Sequence, residues 1–280
     1  MILHPNCKVN LGLHVVRKRA DGYHDLETIF LPVEFLTDEI TIEPSPVFSF
    51  SCDGLDDCES EQNIVVKTFR RIQEQYGAGN VRITLQKRIP TGAGLGGGSA
   101  DAAFVAKALS EMFSLGLDSR QLVSLLSPIG ADCPFFVFNR PCLATGIGDV
   151  LEPIGLNLSG YELAVVKPAV SVPTALAYSR VVPRENVSLS VSTFDLRQLP
   201  TTPVEQWKDL LVNDFEKPVF ADKPQIARVK QSLYAMGAAY AAMSGSGSAV
   251  LALFEKGKAP TSQMLQAEFA DCFTVVGRLP

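Results

Sequence analysis

Apolar and polar residues alternate in several short stretches of this chain, and a period of two is typical of β-strands with one solvated face. The clearest case is residues 81–86, V-R-I-T-L-Q, whose wet face indicates an antiparallel type of strand. Helical patterns lie between such stretches and start or stop at residue types that cap helices, as at Asp118 and Gly237. We predict strands at 8–15, 26–33, 38–42, 81–85, 161–166 and on both sides of 244–248, and helices at 63–76, 99–113, 118–126 and 224–236.

This mixture of strands and helices predicts an α+β fold. A break at 153–160, P-I-G-L-N-L-S-G, divides the chain into two expected domains, 1–156 and 157–280. In the second domain, Pro173-Thr174 is expected to open a short helix. The run Thr202-Pro203-Val204-Glu205 has the pattern of a capping box with proline at the first helical position.

The most informative stretch lies between strand 81–85 and an alanine-rich helix, where five of the seven residues from 92 to 98 are glycine. Glycine tolerates positive φ and lets the backbone approach a ligand closely, and a helix beginning at Ser99 would point free N–H groups into the loop. This combination predicts a phosphate cradle. The match to G-x-G-x-x-G is weak evidence for a dinucleotide fold, because the strand before it alternates, and no G-K-[ST] tripeptide completes a Walker A loop. A merely flexible turn is the remaining alternative.

Composition narrows the classes of protein. With 280 residues and a net charge of −5, the chain can bury a large core and shows no polybasic tract for nucleic acid or an anionic membrane. No apolar window is long enough to span a bilayer, and the first residues do not read as a signal peptide. We therefore expect a cytoplasmic protein. The six cysteines form no C-x-x-C pair and are expected to be free, buried thiols at positions 7, 52, 58, 133, 142 and 272.

The stretch 90–99, P-T-G-A-G-L-G-G-G-S, resembles the phosphate loop of the GHMP kinases, which act on galactose, homoserine, mevalonate and phosphomevalonate. Residues 8–11 (K-V-N-L), 19–24 (R-A-D-G-Y-H) and 130–136 (G-A-D-C-P-F-F) resemble one family among them, whose substrate is a diphosphocytidyl-linked methylerythritol of the non-mevalonate isoprenoid pathway. Residues 244–248, S-G-S-G-S, resemble the third GHMP motif, a glycine turn.

The resemblance implies a two-domain GHMP kinase fold, with an N-terminal ATP-binding domain and the active site in the cleft between the domains. It implies ATP-dependent phosphorylation of the substrate's 2-hydroxyl, with Asp132 as the general base and Lys8 as its orienting and electrostatic partner. From the residues alone, Asp132 is equally a helix-capping or turn-capping residue. Lys8 and Asn10 share one face of a strand, a pattern that a surface strand also shows.

On the substrate side, the resemblance assigns Tyr23 to stacking on cytosine and His24 to hydrogen bonding with it. Thr174, Tyr178 and Asn10 are further expected substrate contacts, with Tyr178 as a second stacking ring. The ordinary alternatives are a turn at 21–23 and a core position for Tyr178.

On the ATP side, Asn63 is expected to contact adenine, although it is equally a sensible N-cap. The phosphates are expected on backbone N–H groups, and Mg²⁺ is expected to be held mainly by the nucleotide phosphates rather than by a side-chain cage. The phosphate-binding residues are Gly94, Leu95, Gly96, Gly97, Gly98 and Ser99.

Two positions depart from the family pattern. Ala93 stands where glycine is frequent, and Ala100-Asp101 stands where Ser-Asn is common. Asp101 is expected in the first helical turn, where it suits the helix dipole yet could repel phosphate. Two other functions stay open: a mevalonate-type or homoserine-type GHMP kinase, and a catalytically inactive nucleotide-binding protein of the same fold.

Overall fold

Three four-stranded sheets form the framework of the computed structural model, which describes residues 1–54, 61–186 and 194–280. The strands are β1 (Ile2–Leu3), β2 (Asn6–Lys18), β3 (His24–Thr37), β4 (Glu39–Pro44), β5 (Ser49–Asp53), β6 (Val81–Gln86), β7 (Cys142–Thr145), β8 (Val150–Pro153), β9 (Tyr161–Pro168), β10 (Tyr240–Met243), β11 (Val250–Glu255) and β12 (Cys272–Arg278). The sheets have the orders β1-β4-β6-β5, β2-β3-β7-β8 and β10-β11-β9-β12.

The helices connect these sheets. They are α1 (Ile64–Tyr76), α2 (Gly97–Met112), α3 (Ser119–Leu126), α4 (Cys133–Phe138), α5 (Thr174–Arg180), α6 (Trp207–Leu210), α7 (Glu216–Asp222), α8 (Pro224–Ala235) and α9 (Ser262–Glu268), with 3₁₀ turns at Arg184–Asn186, Leu196–Thr201 and Val204–Gln206. The predicted α+β class is confirmed.

The chain folds into two units that interleave along the sequence. Unit one contains Met1–Cys7, Leu36–Thr91 and Gly96–Arg140, and unit two contains Lys8–Phe35, Gly92–Leu95 and Pro141–Pro280. The chain therefore passes between the units more than once, and the division into 1–156 and 157–280 stays a prediction.

Unit one combines the sheet β1-β4-β6-β5 with helices α1 to α4. Strand β6 has the alternating burial that its sequence predicts, and it runs antiparallel to β4 and parallel to β5. The Phe69 ring of α1 stacks on Phe48, between β4 and β5, with ring centroids 4.1 Å apart. Helix α1 also packs against α2, and α2 packs against α4. The phosphate-loop helix thus packs against two other helices of its own unit.

Unit two buries its core on the sheet β10-β11-β9-β12. Helix α8 packs on β10 and β11, and Leu13 and Val15 of β2 join the same apolar cluster. Residues 6–15 of β2 are all buried, so this strand is covered on both faces. β2 is therefore not a surface strand, although its alternating pattern alone would also have allowed one.

Several residues predicted to begin or end helices do so in the structure. Asn63 caps α1, Asp118 caps α3 in a full capping box with Gln121, and Gly77 and Gly237 adopt positive φ after α1 and α8. The predicted strands are confirmed, most of them with extended ends, although β4 begins at Glu39 rather than at Asp38. Helix α5 opens at Thr174 after Pro173, as expected.

Three local predictions were wrong: the start of α2, the place of Asp101 in its first turn, and the capping box at 202–205. Helix α2 begins at Gly97, two residues before the predicted start, which moves Asp101 out of the first turn. The capping box at 202–205 is absent, because the Thr202 hydroxyl donates back to Gln198 at the end of a 3₁₀ turn and Glu205 accepts from the Tyr161 hydroxyl.

Not every cysteine is a free, buried thiol. Cys7, Cys133 and Cys142 are free and buried, as expected, whereas Cys272 is free but only partly buried. Cys52 is in a disulfide bond, which corrects the prediction for that position. Cys58 lies outside the described residues.

The capping box of α3 yields a prediction about stability. Asp118→Ala removes the bond from the Gln121 N–H to Asp118 (2.8 Å) and should lower the free energy of unfolding by about 1 kcal/mol. Urea unfolding measures this loss. Arg120→Ala, on the exposed side of the same turn, should change stability by less than about 0.5 kcal/mol, and equal effects of the two variants would contradict the capping role.

Candidate active site

The first half of the phosphate loop, Gly92–Leu95, belongs to unit two and lies against the glycine turn 244–248. Gly94 has φ +77°, and a Cβ atom at this position would stand 2.1 Å from the carbonyl oxygen of Ser244. Gly92 also has positive φ (+63°), but a Cβ there would meet nothing within 4 Å. Close approach therefore requires glycine at position 94, whereas at position 92 only the backbone conformation favours it.

A buried hydrogen-bond network ties this half of the loop to β2. Lys8 is 4% exposed, and its ammonium donates to Asn10 Oδ1 (2.7 Å) and to the carbonyl oxygen of Gly94 (3.1 Å). The Ser244 hydroxyl donates to the same carbonyl at 2.9 Å, and Asn10 Nδ2 donates to Thr28 Oγ1. Lys8 and Asn10 therefore do share one face, as predicted, and that face is internal to the protein.

The second half of the loop belongs to unit one and begins α2. Gly96 is the N-cap residue with φ +70°, and no side chain caps the helix there. The first N–H groups of a helix have no partner within it, so they and the positive end of the helix dipole are suited to an anion. Gly97 and Gly98 have helical backbone and form the first turn with Ser99.

Asp132 lies just before α4, also in unit one. Its backbone is helical (φ −82°, ψ −11°), and its side chain makes no capping bond to α4, which argues against the helix-capping alternative. The neighbouring Cys133 is buried near Ser99, and burial raises the pKa of its thiol to about 12. Cys133 is therefore a protonated thiol at neutral pH, and Asp132 is the group of this pair with the chemistry of a base.

Two of the residues expected at the cytosine, His24 and Tyr178, form a cluster of rings with Phe215 in unit two. The His24 and Tyr178 rings stack with centroids 5.0 Å apart, and Tyr178 meets Phe215 edge-on at 4.8 Å. Tyr23 is 62% exposed and ends a turn in which its N–H donates to Asp21. Burial, and then Lys18, lower the pKa of His24 below its usual 6.5, so the ring is neutral at neutral pH.

Thr174 and Asn63 lie at helix N-termini. The Thr174 hydroxyl, at the start of α5, is 3.2 Å from the Ser246 hydroxyl of the glycine turn. Asn63 Oδ1 accepts from the Val65 N–H at 2.9 Å, so its N-cap role is real. The adenine contact of Asn63 stays a prediction. In unit two, Thr174 thus joins Asn10 in touching the serines of the glycine turn.

One positioning residue was missed from the sequence. Asn213 is buried, donates from Nδ2 to the carbonyl oxygens of Met243 (2.7 Å) and Gly245 (2.9 Å), and accepts from the Phe215 N–H. It therefore fixes the glycine turn and the ring under Tyr178 together. The only signal was a polar pair, N-D, between the apolar pair L-V and the aromatic Phe215 in residues 211–215, too weak to assign a role.

Asp101 does not lie in the first turn of α2, where the sequence predicts it and where it could repel the nucleotide phosphates. It is buried and accepts from Lys87, which also contacts Asp38, so it is an internal group of unit one rather than a first-turn residue exposed to phosphate. Ala93 is buried with ordinary φ, as its side chain requires. In the part of the chain that the structure describes, no group of three or more His, Cys, Asp or Glu side chains is arranged to hold a metal ion.

Comparison with known proteins agrees with these motifs. A model of the GHMP kinases N terminal domain matches residues 63–140, and a model of the GHMP kinases C terminal region matches residues 198–263. The 4-diphosphocytidyl-2-C-methyl-D-erythritol kinase of Parabacteroides distasonis is 46% identical over 280 residues, which cover 100% of both chains. This chain belongs to the 4-diphosphocytidyl-2-C-methyl-D-erythritol kinase family.

Comparison with solved structures distinguishes a likeness within the family from a likeness of the fold alone. The crystal structure of a 4-(cytidine 5'-diphospho)-2C-methyl-D-erythritol kinase matches with a TM-score of 0.83 and 34% identity, covering 99% of this chain and 98% of the other. The homoserine kinase from Cytophaga hutchinsonii matches with a TM-score of 0.69 and 18% identity, covering 98% of this chain and 94% of the other. The second likeness shows the shared GHMP kinase fold alone. Within the described residues, no helix is long and apolar enough to cross a membrane.

The glycine contacts of this kinase-family loop predict unequal costs for two matched substitutions. Gly94→Ala should lower the free energy of unfolding by about 3–4 kcal/mol, because strained φ and overlap with Ser244 add together. Gly92→Ala should cost only about 1–2 kcal/mol, for φ alone. Urea unfolding of both variants measures the difference, and equal losses would show that the close approach of Gly94 to Ser244 contributes nothing.

Proposed function

We propose that this chain transfers the γ-phosphoryl group of ATP to the 2-hydroxyl of 4-diphosphocytidyl-2-C-methyl-D-erythritol. The family supplies the identity of the substrate. The observation in this chain that carries the proposal is the glycine loop itself, whose first half is hydrogen-bonded to Lys8 and Ser244 and whose second half opens α2 without a side-chain cap.

ATP binding is assigned to the loop. The N–H groups from Gly94 to Ser99 are suited to the phosphates, and the adenine contact is assigned to Asn63 in addition to its capping role. The donor set fits Mg²⁺ carried by the nucleotide, since the loop offers N–H donors rather than carboxylates. The nucleotide phosphates would hold Mg²⁺ at this loop, and the ion would supply positive charge to offset the negative charge of the phosphoryl group being transferred.

The acceptor side requires a place for the proton of a tertiary alcohol. Phosphoryl transfer passes through a loose transition state, so positioning and charge count for more than the strength of the base. We assign Asp132 as the proton acceptor and Lys8 as its orienting and electrostatic partner. Lys8 suits this role because its ammonium is held by Asn10 and by the loop carbonyl of Gly94 in a buried strand.

Recognition of the cytidine diphosphate group is assigned to the ring cluster of unit two. A neutral His24 offers one donor and one acceptor to the cytosine edge, with its ring fixed against Tyr178. The exposed Tyr23 is available to stack on the base, and stacking is worth about 1–3 kcal/mol per base. Thr174 and Asn10 are assigned to the rest of the substrate through the glycine turn that both touch.

We also propose that the enzyme acts in the cytoplasm on this small molecule, without nucleic-acid or membrane partners. The dispersed charge and the net charge of −5 support this assignment.

Asp132→Asn should lower kcat on the order of 10³-fold with little change in the KM for ATP, because only proton acceptance is removed. Coupled ADP release measures this with ATP, Mg²⁺ and the cytidyl substrate, beside mevalonate and homoserine. Asp271→Asn, an exposed aspartate of unit two, serves as the control.

Turnover with the cytidyl substrate alone, lost in Asp132→Asn and kept in Asp271→Asn, is the expected result. Turnover that survives in Asp132→Asn would remove it as the base and leave the kinase. Folded protein that binds ATP yet releases no substrate-dependent ADP with any of the three acceptors would favour the inactive nucleotide-binding alternative.

The neutral His24 predicts a pH effect on substrate affinity. At saturating ATP, the KM for the cytidyl substrate should rise as the pH falls below 6.5, because protonation removes the acceptor nitrogen of the ring. His24→Gln keeps a donor and an acceptor and should remove this acid limb below pH 6.5. An unchanged acid limb in His24→Gln would assign the titration to another group.

A further inference from the structure

Three ionisable side chains meet inside unit one, close to the phosphate-loop helix. Asp38 lies between β3 and β4, Lys87 follows β6, and Asp101 is in α2. Their side chains are 0%, 6% and 2% exposed, respectively. The ammonium of Lys87 contacts both carboxyl groups, with Asp101 Oδ2 at 2.9 Å. This Asp38–Lys87–Asp101 cluster therefore places two buried acids on one buried cation.

The two acids are not equally stabilised as anions. Asp38 Oδ1 accepts from the backbone N–H groups of Arg88 (2.6 Å) and Ile89 (2.8 Å), and Oδ2 accepts from Lys87. A carboxylate with several donors is held in its charged form. Asp38 therefore has the partners that a buried negative charge requires.

Asp101 lacks such support on one side. Its Oδ2 accepts from Lys87, but within 1–54, 61–186 and 194–280 its buried Oδ1 has no hydrogen-bond partner. A buried carboxylate oxygen without a donor is costly, and Lys87 balances only one negative charge. The cheaper arrangement is an Asp38–Lys87 ion pair beside an uncharged Asp101.

The titration behaviour of the cluster is in keeping with this geometry. Burial raises the pKa of Asp101 to about 8, opposed by Lys87 and reinforced by Asp38. Burial alone would lower the pKa of Lys87, but the two carboxyl groups raise it above its usual value. Lys87 therefore stays an ammonium, and Asp101 is the member of the cluster that exchanges a proton near neutral pH.

The cluster lies directly beneath the first turn of α2. A Cβ atom on Gly97 would stand 3.2 Å from Lys87 Nζ and 2.8 Å from Ile89 Cγ2. Gly97, the first residue of the helix, is thus packed on the cluster's cation and on the residue whose N–H group binds Asp38. A change in charge here is felt at the end of the helix that we assign to the nucleotide phosphates.

We propose that Asp101 carries a proton and thereby keeps the Asp38–Lys87–Asp101 cluster electrically neutral beneath the phosphate-binding turn, as a positioning residue for ATP. The inference deepens the proposed function and rests on it for the identity of the anion. Release of the Asp101 proton leaves one net negative charge under the turn and weakens phosphate binding. Asp101 thus stands where asparagine is common in the family and, with its proton, is uncharged as asparagine is.

The protonation is tested on the wild-type protein by carbon-13 NMR of its aspartate carboxyl groups between pH 4 and 10. We expect one carboxyl resonance to move with a midpoint near pH 8 and to be missing from Asp101→Asn. The wild-type spectra are decisive even where the variant folds poorly. Aspartate resonances that have all finished titrating by pH 6 would overturn the proposal.

The effect on phosphate binding is tested with a non-hydrolysable ATP analogue and Mg²⁺ between pH 7 and 9.5. The wild-type Kd should rise about threefold to tenfold across this range, while Asp101→Asn, fixed in the neutral form, should show no rise. Asp271→Asn should follow the wild type. Parallel pH profiles for wild type and Asp101→Asn would overturn the coupling to phosphate.

Analogue binding does not depend on the acceptor. Absence of turnover with the cytidyl substrate would therefore refute the proposed function and leave this inference standing, provided the analogue binds with the expected pH profile.

Discussion

The carbonyl oxygen of Gly94 is the point on which the unit-two part of the site depends. It accepts from both Lys8 and Ser244, so β2, the phosphate loop and the glycine turn are held at one atom. The loop approaches so closely that a methyl group at position 94 would overlap the Ser244 carbonyl. Because β2 is buried on both faces, the Lys8 ammonium is desolvated and has to be satisfied by fixed oxygens. The same requirement fixes the position of the Lys8 ammonium.

Buried polar groups organise both units, but by different means. In unit two, the buried Lys8 ammonium donates to neutral oxygens of Asn10 and Gly94, and the Asn213 amide links the glycine turn to Phe215. In unit one, charge lies inside the core at Lys87, beneath the start of α2. Such groups are costly unless fully paired, which makes the geometry around them unusually well defined.

How much of the fold and of the candidate site can be predicted from the sequence depends on how far apart along the chain the interacting residues lie. The caps at Asn63 and Asp118 were predictable because each involves residues two or three positions apart. The start of α2 was misplaced because Gly97 and Gly98 adopt helical backbone, which glycine only weakly favours. The contact between Lys87 and Asp101, and that between Asn213 and Gly245, join distant residues, and no local pattern announces either. The roles proposed for Lys8 and Asp132 come from motif resemblance, and the structure adds the burial and the hydrogen bonds of Lys8.

The measurement that tests the central claim most directly is phosphorus-31 NMR of the products formed from ATP and 4-diphosphocytidyl-2-C-methyl-D-erythritol, with carbon-13 at C2 of the methylerythritol. The account predicts one new phosphomonoester resonance coupled to the labelled C2 carbon, with the diphosphate bridge to cytidine intact. A γ-phosphoryl group that appears as inorganic phosphate, or on any other hydroxyl, would contradict it.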